Sequence, residues 1–178
     1  MTAGDRVAIT GMGVVSALGL GIAPMRQAML AGRSGIRPLD GDIPDSFVAR
    51  HAGRALEFWT PPGLEELPRH LQMAFTAASE ALAASGLDPA DRHVALVFST
   101  CIGPLPEFEA RRDAGESTDT PFADNGSAPA FAMHGGAILL ARHLGIRGPV
   151  TTVTTACAAS AGAIGRAAVP SGASTGTR

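Results

Sequence analysis

The chain has 178 residues, 46% of them hydrophobic and 17% charged, which suits one domain with enough apolar content to bury a substantial core. A net charge of -2 excludes electrostatic attraction to nucleic acid or to an anionic membrane surface. Its two cysteines, Cys101 and Cys157, lie far apart and in no Cys-x-x-Cys or Cys/His ligand spacing, which excludes a disulfide framework and a zinc site.

The residues from Val7 to Met25 are nearly uncharged and follow Arg6, the outline of a secretory signal. Asp5 beside Arg6, four glycines that weaken a helical core and the lack of a small-residue cleavage site argue against one, so the expected location is cytoplasmic. Arg6-Val-Ala-Ile-Thr10 predicts a first buried strand that meets a tight loop at Gly11-Met-Gly13. A short helix is expected from Pro24 to Ala31, stopped by Gly32. The segment from Arg33 to Pro62, rich in Gly, Pro and Asp, reads as irregular connection with a short strand near Phe47 to His51.

Between Pro68 and Ser85, Leu71, Phe75, Ala78 and Leu82 recur on one helical face, and Gly86 stands where a left-handed residue ends such a helix. Val94-Ala-Leu-Val-Phe98 is a continuous apolar run of strand length, as in a parallel strand covered on both faces. A short helix around Glu107 to Arg112 and a polar loop should follow. Ala128 to Leu144 predicts a helix apolar on most sides (Phe131, Met133, Ala137, Ile138, Leu139, Leu140), hence buried, with Gly145 as its cap. Its apolar part, Ala128 to Ala141, is too short to span a bilayer and contains His134. Val150 to Thr155 is a strongly β-branched third strand, and the small residues Ala156 to Ala168 favour a closely packed helix. Strands alternating with helices imply an α/β fold on a mostly parallel sheet with helices on both faces. The expected domain is 1–168, followed by a disordered, low-complexity tail over 169–178 that Pro170 sets off.

Cys157 stands where the third strand turns into the helix after it. A thiol there faces the positive end of the helix dipole and unpaired N–H groups, which favour thiolate. The same groups can stabilise an oxyanion formed on attack at a thioester carbonyl, an arrangement analogous to the strand-to-helix turn that exposes a nucleophilic serine in hydrolases. Local sequence leaves open a second reading, a small buried residue where Ala or Ser would also fit.

Thr151-Thr-Val-Thr-Thr-Ala-Cys-Ala-Ala-Ser160 closely resembles the active-site signature of β-ketoacyl synthases. Arg6-Val-Ala-Ile-Thr-Gly-Met-Gly-Val-Val-Ser-Ala-Leu-Gly19 resembles the opening of that family, as do Leu30-Ala-Gly-Arg-Ser-Gly-Ile-Arg37 and Gly145-Ile-Arg-Gly-Pro149. The resemblance runs from Arg6 to about Ala168. It implies a thiolase-like fold, Cys157 as acyl-accepting nucleophile, and no cofactor beyond the phosphopantetheine thioesters of an acyl carrier protein. It also implies a homodimer in which the strand carrying Thr151 to Thr155 lies near the partner. Transthiolation onto Cys157 would precede decarboxylation of a malonyl thioester and condensation, in fatty acid or polyketide synthesis.

Members of the family are more than twice as long and carry two histidines and a lysine in their second half. The histidines here, His51, His70, His93, His134 and His143, all precede Cys157 and match none of those motifs, so each is expected to be a surface or satisfied interior residue. The resemblance places a strand after the cysteine helix where this chain has Pro170 and a polar tail, an ending expected of a frameshift or premature stop. The alternative function is then a catalytically inactive remnant that acts by interaction alone. Cys101-Ile-Gly-Pro104 fits the family's glycine-rich loop only in part, and nothing near Cys101 would activate it. Phe131 and Met133 are candidates for lining an acyl pocket, with core packing as their alternative role.

Overall fold

A computed structural model describes residues 7–41, 43–44, 46–55, 58, 64–65, 67–115 and 133–169. The chain divides into two compact units, Thr10–Gly86 and, in the other, Met1–Ile9 with Leu87–Arg178.

In the first unit a two-residue hairpin, β1 (Val15–Ser16) and β2 (Gly19–Leu20), leads into α1 (Ile22–Leu30). Gly32 ends α1 as expected. With φ +63 it allows its N–H to reach the Met29 carbonyl at 3.1 Å and that of Arg33 to reach the Ala28 carbonyl at 2.9 Å, the paired closure of a Schellman cap. The segment expected to be irregular contains an antiparallel ladder, β3 (Ile36–Pro38) with β4 (His51–Gly53), in the register Ile36 to Gly53 and Pro38 to His51. The strand expected at Phe47 to His51 thus begins where that range ends. The β propensity of Phe47 and Val48 is overridden because the ladder reaches back only as far as Arg50, whose carbonyl accepts the Leu39 N–H at 2.8 Å, and both side chains stay exposed.

Helix α2 (Arg69–Ser85) matches the periodic prediction to one residue and ends at left-handed Gly86. Its Leu71 is fully buried. Gly11 and Gly13 serve a different purpose from the tight turn the sequence suggests. Neither has a positive φ, and a Cβ on Gly13 would strike the Ala77 carbonyl while one on Gly11 would strike that of Ala81. The glycines therefore let the loop backbone lie directly on the small-residue face of α2. Glu80 of that helix completes the contact. Its carboxylate accepts the Val14 N–H at 3.0 Å and the Ile22 N–H at 2.9 Å, so one half-buried side chain holds the hairpin and caps the start of α1.

In the second unit the expected parallel sheet is a pair, β5 (Leu96–Ser99) beside β6 (Val150–Val153), in register from Leu96 opposite Val150 to Ser99 opposite Val153. Both strands are shorter than their apolar runs. Val94 is drawn into a turn by its N–H to the Asp91 carbonyl at 3.0 Å, and β6 stops at Val153, two residues before the expected Thr155. Among the described residues three helices accompany the pair: α3 (Leu105–Asp113), α4 (Gly135–Leu144) and α5 (Ala159–Ala167). Helices α4 and α5 both pack on β5 and β6. Gly162 of α5 faces Val153, so strand alternation turns Thr151 and Val153 toward α5 and Thr152 the opposite way.

The expected burial of the apolar helix holds in α4 for Ala137, Leu139 and Leu140, with Ala141 and Leu144 beside them, but not for Ile138, which is exposed, and Gly145 caps the helix in the left-handed region. Its expected beginning at 128–132, including Phe131, lies outside the described residues, as does the expected tail from Pro170. The anticipated first strand is absent. Residues 7–10 carry no strand, and Val7 and Ile9 are exposed, because an extended segment without a ladder partner leaves its backbone to water. Among the described residues no helix is long and apolar enough to cross a membrane.

Loss of the Glu80 carboxylate leaves two N–H groups without their acceptor, so Glu80→Ala should lower unfolding stability by about 1–3 kcal/mol. Glu80→Gln, which keeps a single acceptor oxygen, should fall between that variant and the parent in urea denaturation. An unchanged midpoint for Glu80→Ala would remove Glu80 from its bridging role. In the turn before β5, the His93 backbone N–H donates to Asp91 at 2.9 Å and, with the His93 ring, holds the Asp91 carboxyl below the usual carboxylate range. A depressed carboxyl stabilises the fold above its ordinary range and loses that contribution as pH falls through the folded value. Since the backbone bond, the largest cause, survives removal of the ring, a carbon-detected NMR titration should find the depression reduced but not abolished in His93→Ala.

Candidate active site

The carboxyl ends of β5 and β6 point the same way, and the crevice beyond the carboxyl ends of parallel strands is where open α/β sheets bind ligands. Cys101 leaves β5 there and Cys157 leaves β6. The Thr100 N–H donates to the Val153 carbonyl at 3.2 Å, so strand pairing continues one step past Ser99. Past that point the Gly103 N–H donates to Thr100 Oγ1 at 3.1 Å and folds the chain into a turn that starts α3.

At the end of β6 the path is less ordinary. Ala156 has φ +48, the one positive φ at a non-glycine among the described residues. A left-handed alanine costs about 1–2 kcal/mol because its Cβ crowds the following carbonyl. The strain is concentrated at the residue before Cys157, as backbone outliers cluster at functional turns. Cys157 then occupies a 3-10 turn, Ala156–Ala158, and α5 begins only at Ala159. This corrects the expectation of a helix running from Ala156. The left-handed residue cannot belong to a right-handed helix, so the regular hydrogen-bond ladder starts later.

Cys157 is exposed, which removes the reading of it as a small buried residue. The turn is tied by the Ala158 N–H to the Thr155 carbonyl at 3.1 Å. No side chain caps α5, and of the N–H groups that enter it that of Ala159 is taken by the Ala156 carbonyl of the preceding turn. Ala159 and Ala163 are buried and Gly162 meets Val153 and Thr155, so small side chains seat the helix close to the strand it follows. Among the described residues none hydrogen-bonds the Cys157 thiol, and no group of three or more His, Cys, Asp or Glu could hold a metal ion.

Met133 falls in the turn before α4 rather than within a helix, and it is exposed. Its Sδ lies 2.6 Å from where a Cβ on Gly103 would stand, so it covers the turn that follows Cys101. The fold thus gathers Cys101, Met133 and Cys157 on segments at the carboxyl ends of the strand pair, while Phe131 is outside the described residues. Four histidines, His51, His93, His134 and His143, are exposed and His70 is half-buried, as expected of residues without a catalytic motif. A cleft of about 500 Å³ opens at the other end of the pair, against Ala95, Pro149 and Arg166, and does not include Cys157. Sequence reasoning missed Ala156. Its position between a β-branched run and a thiol is the available signal, because residue type alone does not report φ.

The description "Beta-ketoacyl synthase, N-terminal domain" matches residues 4–173. The chain is 32% identical to 3-oxoacyl-[acyl-carrier-protein] synthase 2 of Coxiella burnetii, over 92% of this chain and 41% of that protein. It is 30% identical to putative polyketide beta-ketoacyl synthase 1 of Streptomyces cyaneus, over 91% of this chain and 42% of that protein. The chain therefore spans about two-fifths of the length of these curated relatives. A solved type II PKS acyl-carrier protein in complex with its ketosynthase, bound to the hexaketide, superposes with TM-score 0.72 at 24% identity, over 92% of this chain and 41% of that one. This likeness shows the thiolase-like α/β fold.

The strain at Ala156 sets opposite expectations for two substitutions. Ala156→Gly relieves about 1–2 kcal/mol but adds about 0.4–1 kcal/mol of unfolded-state entropy, so it should be as stable as the parent or slightly more so. Ala156→Val should be less stable by about 1–3 kcal/mol, since a β-branched side chain tolerates the left-handed region poorly. Urea midpoints check the pair, and a Val variant as stable as the parent would contradict the turn described here.

Proposed function

Because this chain belongs to the β-ketoacyl synthase N-terminal domain family, we infer that it carries the acyl-accepting half of that chemistry at Cys157. The observation that carries this reading is an exposed thiol in a strained turn between β6 and the uncapped start of α5. The Cys157 thiolate attacks the carbonyl of a carrier-bound thioester. The new C–S bond forms as the bond to the carrier's phosphopantetheine sulfur breaks, and that sulfur leaves as a thiolate. Backbone N–H groups at the start of α5, which no side chain caps, stabilise the oxyanion that develops on the carbonyl oxygen.

The following half reaction, decarboxylation of a malonyl thioester and its condensation onto the acyl group, is assigned by relationship to the whole enzyme. Among the described residues no side chain hydrogen-bonds the Cys157 thiol. The reading gives the chain two partners. One is an acyl carrier protein, as in the complex solved for the type II PKS relative. The other is a second copy, placed at β6, whose outer edge pairs with no other described strand and whose Val150 is exposed. The working location is the cytoplasm, and the substrates are acyl thioesters of fatty acid or polyketide synthesis.

Incubation with acyl-carrier-protein thioesters should add one acyl group to Cys157, located by mass spectrometry of the peptide, and Cys157→Ala should abolish the adduct. Acylation of the parent at another residue, or none under conditions where iodoacetamide alkylates Cys157, would defeat the proposal and leave an interaction-only role.

A further inference from the structure

The chemistry assigned to Cys157 leaves a second exposed thiol unexplained. Both cysteines are free and exposed. They lie within the same compact unit and leave neighbouring parallel strands at the same end. Extended beyond Ser99 opposite Val153, the register sets Cys101 level with Thr155, two residues short of Cys157. Paired strands stand about 4.8 Å apart, and a disulfide joins Cα atoms about 4.4–6.8 Å apart. The left-handed turn at Ala156 deflects the chain from the strand direction, so Cys157 does not advance by a full two-residue strand rise beyond Thr155. Both cysteines lie in turns rather than in the strands, and neither is buried in the core.

We propose that Cys101 and Cys157 are a reversible thiol–disulfide pair, closed by hydrogen peroxide and opened by a dithiol reductant. The pattern is that of an oxidisable thiol poised next to a resolving thiol. In the first step the Cys157 thiolate attacks one peroxide oxygen. The O–O bond breaks, hydroxide leaves and is protonated to water, and Cys157 becomes a sulfenic acid. In the second step the Cys101 sulfur attacks the Cys157 sulfur, the S–O bond breaks, and a second water departs as the S–S bond forms. Two thiols and one peroxide give one disulfide and two waters. Closure removes the nucleophile while protecting it from irreversible oxidation to the sulfinic acid.

This inference rests on the geometry of the two thiols. It does not require Cys157 to accept acyl groups, so failure of acylation and failure of the disulfide are distinguishable results. Treatment of the full chain with stoichiometric peroxide should give a Cys101–Cys157 cross-linked peptide in monomeric protein, with free thiols falling from two to none and restored by dithiothreitol. The cross-link should form at least about tenfold faster in native protein than in urea, where the long loop between the cysteines must close by chance. In Cys101→Ser and Cys101→Ala, the Cys157 sulfenic acid lacks its resolving partner and should proceed to sulfinic acid. Sulfinic acid at Cys157 of the parent without a cross-link, an intermolecular disulfide in its place, or equal rates in native and unfolded protein would each overturn the proposal.

Discussion

Four residues of β5 run parallel to four of β6, Leu96 beside Val150 through Ser99 beside Val153, and the position of every reactive group follows from that register. A parallel pair has to return its chain to the same end before the second strand begins. The long connection through α3 and α4 is therefore a requirement of the pairing. Both strands then release their chains in one direction, toward a common crevice. One residue of slip would invert the faces of β6, turning Thr151 and Val153 away from α5 and Thr152 toward it. The small side chains of α5 would then meet the wrong residues, and the turn that displays Cys157 would lose its seat.

The seat itself is economical. Helix α5 buries only Ala159 and Ala163 and leaves Ile164 exposed, so its position depends less on apolar area than on closeness of approach to β6. In exchange for that meagre core, Cys157 sits beside helix N–H groups that no side chain occupies. A serine, threonine or aspartate at the cap would stabilise α5 by about 1 kcal/mol. It would also take the donors that an oxyanion needs. Ala-Cys-Ala-Ala forgoes that local stability and leaves the start of α5 without a side-chain cap.

Much of this was legible in the residues. The alternating four- and three-residue spacing of Leu71, Phe75, Ala78 and Leu82 located α2 within one residue, because a helix reports itself through its own spacing. The terminal glycines of three helices were equally plain, since Gly32, Gly86 and Gly145 all take the left-handed conformation that ends a helix. Strands were read less well. Val7 to Thr10 and Phe47 to Ala49 have β-type composition and no ladder, whereas Arg37-Pro38 has poor composition and a ladder, because a strand exists only where distant residues pair with it. At the site, residue type and the motif around it pointed to Cys157. The left-handed Ala156 and the convergence of Cys101 and Met133 on the same end of the sheet depend on φ and on register, which no side chain announces.

Glu80 exposes a different consequence of the architecture, one of timing. Its carboxylate holds backbone groups 66 and 58 residues earlier in the chain. On a ribosome adding about 5–20 residues per second, those groups are synthesised several seconds before their acceptor exists. The hairpin and α1 must therefore pass that interval without the contact that fixes them. A two-residue hairpin and a nine-residue helix are too short to persist alone in water. The opening of the chain waits, incompletely folded, for one residue of α2, and the rate at which α2 is delivered governs how long its apolar residues stay available to chaperones and to neighbouring chains.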